Sequence, residues 1–123
     1  MYYKRQEAFR YSFDNPIYCT GQTFLSNGDH LMINDIFEGS IQNLSPNGLK
    51  FTTDANIDPV KVIQIRLIFI LNQTEINIDG KIVWKKVFGS KFEYGFNGNG
   101  DDDTKKRIIE ELKKYSKQMS ENK

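Results

Sequence analysis

The residues best suited to recognising a ligand lie in "NLSPNG", from Asn43 to Gly48. Asn43 and Ser45 stand two apart, so on an extended strand both side chains project from one face. Gly48 lets the backbone turn and lets a ligand come close with no Cβ in the way. An amide and a hydroxyl beside open backbone suit a flat, polar ligand. The same residues equally suit a plain structural role, with Asn43 and Ser45 bonding the backbone of an "SPNG" turn. A second cluster is the N-terminal "YYKRQEAFRYSF", which carries Lys4, Arg5 and Arg10 on a segment with no clear strand before Phe9. Arginine binds phosphate bidentately, stacks its guanidinium on a base and donates to the O6 and N7 edge of guanine. The arm therefore reads either as a cationic clamp or as a frayed, solubilising tail.

No catalytic or metal-binding set competes with these clusters. His30, the single histidine, sits beside the Gly28-Asp29 turn signal with no His or Cys partner and is expected at the surface. Asp101, Asp102 and Asp103 have no second acidic cluster to complete a coordination shell. Cys19 is alone, which excludes an intramolecular disulfide and a cysteine-built zinc site and makes it a small buried hydrophobe. No nucleophile, base and acid can be assembled, so the expectation is a binding protein and not an enzyme.

The elements that must position these clusters follow from periodicity. From about Ile17 to Phe96 short stretches rich in Ile, Val, Phe and Tyr are punctuated by Asn, Asp and Gly, the pattern of an antiparallel β-domain. Turns are signalled at "SNGD", "SPNG", "DANIDP", "LNQT" and "FGSK", which separate six strands. Ile63, Ile65, Leu67 and Phe69 share one parity and predict a core face. Ile76, Ile78, Ile82 and Trp84 do the same, with Gly80 easing a bend or bulge that suits a closing sheet. After "NGNG" the aspartates favour a helix N-terminus, and Ile108, Ile109, Leu112, Tyr115 and Met119 recur at helical spacing. Lys105, Lys106, Lys113 and Lys114 form its solvated opposite face, with Glu110 four residues before Lys114.

Bulk properties narrow the partners. The 123 residues predict one domain, organised as a flexible basic arm over 1–15, a β-barrel over 16–100 and an amphipathic helix over 101–123. Seventeen basic against sixteen acidic residues leave a net charge of +1, too little to draw the whole molecule to nucleic acid or an acidic membrane. The longest apolar run, "LIFIL", is far short of the roughly 20 residues that span a bilayer, and no membrane insertion is expected. The charged N-terminus lacks the apolar core of a signal peptide, so the expected location is the cytoplasm.

An arginine-bearing arm, then Asn43-x-Ser45-x-x-Gly48 some thirty residues on, "GLKF", "INIDGKIVW", "YGF" and a terminal helix resemble, in this order, the PilZ domain family. The resemblance covers nearly the whole chain. It implies a mostly β fold, a six-stranded antiparallel barrel of the split-barrel type with a C-terminal α-helix, and cyclic di-GMP as ligand. It also implies a ligand set of Lys4, Arg5, Gln6, Arg10, Asn43, Ser45 and Gly48, with Arg10 and Arg5 on the bases or phosphates. The arm would then order over the ligand and signal to an effector protein, in control of motility or biofilm formation, the chain being a monomer or weak homodimer. Aligned on Arg10, the family's first arginine position holds Gln6, with Arg5 just before it. That departure admits a PilZ-like module that has lost the ligand and works by protein interaction alone. A third reading, a small nucleic-acid-binding barrel, would use Tyr2, Tyr3 and Phe9 as stacking platforms.

Overall fold

The computed structural model describes residues 10–121. Six strands follow one another: β1 (Tyr11–Asn27), β2 (His30–Leu44), β3 (Gly48–Thr53), β4 (Gln64–Leu71), β5 (Thr74–Phe88) and β6 (Lys91–Gly98). A helix, α1 (Asp102–Glu121), follows β6 and is the one helix among the described residues. Every neighbouring pair is antiparallel, and the strands close into a ring in the order β1-β2-β3-β6-β5-β4. The polar corners fall between strands as their Gly, Asn and Pro residues require, with Gly28 and Gly89 at positive φ in the two longest hairpins. Closure removes most of the unpaired backbone edge that an open sheet of this size would leave.

Alternation along β4 buries Ile65, Leu67, Phe69 and Leu71 in the barrel, where they meet Ile41, Phe51, Ile76, Ile78, Tyr94 and Phe96. Cys19 is fully buried among them, as its isolation predicts. Ile63 does not join this face: β4 starts one residue later, and Ile63 is 38 % exposed on the preceding connection. Residues 11–15, expected within the arm, are the first residues of β1, because Tyr11 and Ser12 pair with Leu44 and Asn43 of β2. The ladder then breaks until Ile17.

The helix closes one end of the barrel. The Asp101 carboxylate accepts the Thr104 N–H at 2.9 Å and caps the first turn. Ile108 and Leu112 are buried in the core, and the Tyr115 ring packs edge-on against Tyr11 and Phe13 at 5.6 and 5.3 Å between centroids. Glu111 is also buried, and it fastens the helix to the β4–β5 turn. Its carboxylate accepts from Asn72 Nδ2 at 3.1 Å and Thr74 Oγ1 at 3.2 Å, and its main-chain oxygen takes a second Asn72 bond at 2.6 Å. At the opposite end, Tyr94 pins the 54–63 connection, donating to the Ala55 carbonyl and accepting from the Ile57 N–H, both at 2.7 Å.

Candidate functional site

Two irregularities build the candidate site, and each turns one side chain outward. Ile41 and Leu44 on β2 are both fully buried although three residues apart, a spacing no regular strand allows. An extra residue, Gln42, absorbs the difference: Ile41 pairs with Phe51 but Asn43 pairs with Lys50, so Asn43 faces outward. On β5 Ile82 pairs with Phe96 but Trp84 pairs with Gly95, and the extra residue is Val83. Trp84 is therefore 42 % exposed on the outer face and not on the core parity that Ile76 and Ile78 keep. The bulge expected at Gly80 lies beyond it, after Ile82.

The two outward residues end a single cross-strand row. Asn43 is opposite Lys50, Lys50 opposite Gly95, and Gly95 opposite Trp84. Gly95 is what lets the indole lie flat on the sheet, since a Cβ there would sit 2.0 Å from Trp84 Nε1. Above the row lies a cleft of about 370 Å³, lined also by Arg10 and Asn97. Arg10 stands just ahead of β1, exposed, and its Nη1 donates to Asn43 Oδ1 at 2.5 Å. Among the described residues no carboxylate pairs with Arg10, whereas Lys50 is 3.7 Å from Glu93. A guanidinium bonded to an amide, and a partly exposed indole, over a shallow floor suit a flat ligand that carries negative charge.

The expected residues divide. Arg10 and Asn43 come together at the cleft. Ser45 is 1 % exposed and serves the turn: its Oγ donates to the Gly48 carbonyl at 3.1 Å and accepts the Gly48 N–H at 3.2 Å, while its own N–H bonds the same carbonyl at 2.8 Å. It does not share a face with Asn43, because β2 ends at Leu44 and Ser45 already belongs to the corner. Gly48 lines the cleft, but what approaches it most closely is protein: a Cβ there would meet the Phe96 carbonyl oxygen at 2.2 Å. Lys4, Arg5 and Gln6 lie outside the described residues. Lys50, Trp84 and Gly95 belong to the site without having been expected there. Among the described residues no three His, Cys, Asp or Glu side chains gather to hold a metal ion, and no helix is long and apolar enough to cross a membrane.

Fold and cleft together define a small closed β-barrel with a ligand-sized, cationic and aromatic surface on its outer wall. The family model of the PilZ domain matches residues 4–114, and the chain belongs to that family. Among solved structures it is similar to the PilZ domain with c-di-GMP of YcgR from Escherichia coli, at 15 % identity and a TM-score of 0.62, over 93 % of each chain. It is also similar to K. pneumonia MrkH in its apo state, at 16 % identity and a TM-score of 0.67, over all of this chain and 56 % of that one. At such identities the likeness is one of fold. Among curated proteins none matches the chain in sequence.

Proposed function

We propose that this chain is a cyclic di-GMP receptor that binds the dinucleotide in the outer-face cleft and passes the signal to a protein partner. The observation that carries the reading is the Arg10 guanidinium bonded to the Asn43 amide at one end of a row that finishes in Trp84. Membership of the PilZ family supports it, as does the c-di-GMP in one structure of similar fold. In this reading Arg10 leaves Asn43 for a guanine edge or a phosphate, Asn43 bonds the guanine rim, and the Trp84 face stacks on a base. Ser45 and Gly48 act through the shape of the corner. Lys4, Arg5 and Gln6 supply phosphate and second-base contacts as the arm orders over the ligand, and that ordering is the signal. The reading assigns no catalytic step. It places the protein in the cytoplasm as an adaptor in motility or biofilm regulation.

Gln6 favours one alternative, a PilZ module that has lost its ligand, because an amide replaces a guanidinium at the family's first arginine position. Titration calorimetry with cyclic di-GMP separates the two. The receptor reading expects saturable heat in the wild type and about ten- to a hundred-fold weaker binding in Arg10→Ala, the loss of one bidentate contact of roughly 1–3 kcal/mol. Absence of heat at high micromolar ligand refutes it, and heat regained in Gln6→Arg would establish the module that lost its ligand.

A further inference from the structure

The barrel end opposite α1 is unusually apolar. The β1–β2 and β5–β6 hairpins and the 54–63 connection all lie at that end, because successive strands are antiparallel around the ring. Of the twelve large hydrophobic side chains exposed among the described residues, eight belong to these three segments. Leu31, Met32, Ile33 and Ile36 stand on the first hairpin at 47–65 % exposure, and Val87 and Phe88 on the second at 71 and 55 %. Val60 and Ile63 are on the connection between them. A monomer rarely leaves so many such side chains in water on one rim without a use for them.

The charges on this rim are sorted. The first hairpin carries Asp29, Asp35 and Glu38 with no Lys or Arg, the second carries Lys85, Lys86 and Lys91 against a single buried acid, Glu93, and the connection between them adds Asp54, Asp58 and Lys61. Lys85 is held by two oxygens, Asn56 Oδ1 and the Ile57 carbonyl, neither of them a carboxylate. Lys91 has an acid partner in Asp54 at 3.3 Å, and the Lys85 charge acts on Asp58. A surface acidic on one arm and basic on the other, with apolar residues on both, complements its own copy. A two-fold axis perpendicular to the barrel axis, passing between the hairpins, sets each acidic arm against the partner's basic arm. An anionic lipid surface would attract one arm and repel the other.

Strand addition is not the mode of contact. Beyond Gly39 the β2 edge has no β3 partner, yet the ladder with β1 shifts at Asn34, and Asp35 Oδ1 takes the Ile36 N–H at 2.9 Å. An irregular edge with its donor already occupied resists edge-to-edge pairing, so the contact is made by side chains.

We infer that the protein associates with a second copy of itself through this rim, as an isologous dimer in which the β1–β2 hairpin of each subunit packs on the β5–β6 hairpin of the other. This inference is independent of the ligand reading, and its test is run without nucleotide. Sedimentation velocity on the full chain, from low to high micromolar, is expected to show reversible dimer formation. Ile33→Ser with Phe88→Ser should sediment as monomer with unchanged circular dichroism. Lys86→Glu and Asp29→Lys should each weaken association about tenfold, and the two together should restore it. A wild type monomeric throughout overturns the inference, as does a dimer indifferent to the serine pair or a double charge reversal no stronger than the singles. A monomer that co-sediments with phosphatidylglycerol vesicles through this rim would assign the surface to lipid and overturn it too.

Discussion

Replacing Gly48 with alanine tests whether the last residue of the Asn43-x-Ser45-x-x-Gly48 corner serves the barrel before it serves any ligand. The new Cβ would stand 2.2 Å from the Phe96 carbonyl oxygen, 3.3 Å from its carbon and 3.5 Å from Asn97 Cα. Ordinary contact begins near 3.5 Å, so β3 and β6 must separate by about 1 Å at that point, and backbone on both sides resists. Four hydrogen bonds lie within one residue of the clash: Ser45 N–H and Ser45 Oγ to the Gly48 carbonyl, Gly48 N–H to Ser45 Oγ, and Gly98 N–H to the Asn47 carbonyl. Loosening two of them costs about 2 kcal/mol, and the overpacking adds about 1–3 kcal/mol. At about 4 °C per kcal/mol for a domain of this size, the melting temperature should fall by roughly 12–20 °C. Calorimetric melting in the absence of nucleotide reads this directly. Gly28→Ala is the control: its φ is 66° but nothing lies within 4 Å of the added Cβ, so the strain is about 1–2 kcal/mol. If Gly48→Ala melts within about 3 °C of wild type, the packing argument is wrong and the glycine is there for something that approaches from outside.

Other outcomes follow from the same geometry. Asn72, and then Lys114 and Thr74, hold the Glu111 carboxyl below its ordinary value of 4.5. The folded state therefore releases that proton more readily than the unfolded chain, and its contribution to stability is complete above the ordinary value and lost as pH falls through the lowered one. Melting curves between neutral and strongly acid pH should show a shallower acid loss for Glu111→Gln than for wild type, and parallel curves would deny the carboxylate that role. Tyr94→Phe removes the hydroxyl shared by Ala55 and Ile57, at a cost of about 1–3 kcal/mol, and should speed amide exchange through 54–63 more than elsewhere. Burial pushes the Cys19 thiol up to about 12. At mildly alkaline pH a thiol-specific disulfide reagent should find it unreactive in the folded protein and reactive in denaturant, and rapid native labelling would contradict its burial.

The five corners were legible because Gly, Asn, Asp and Pro mark backbone that must turn, and the core strands were legible because Ile65, Leu67 and Phe69 alternate without interruption. The helix was readable for a similar reason: Asp101 caps it and Ile108 and Leu112 recur at its period. What failed rests on parity. A strand read as strictly alternating places Trp84 with Ile82 inside and Asn43 with Ser45 outside, and one inserted residue overturns the first of these. The chain's turn at Ser45 overturns the second. Bulges leave no reliable sequence mark, because the extra residues here, Gln42 and Val83, are ordinary strand residues. One hint was present: Gly95 interrupts an otherwise bulky Tyr94-Gly95-Phe96, and a missing side chain in a strand often means that something large lies across it. Arg10 and Asn43 could be chosen by type alone, whereas Lys50 enters the site only through its register opposite Asn43.

The position of Trp84 gives this protein a built-in optical probe. It is the chain's sole indole, it borders the cleft, and it is neither sunk in the core nor fully in water. Its emission should shift in wavelength and intensity whenever a molecule settles against it, so occupancy can be followed on unlabelled material, with tyrosine as the only other fluorophore.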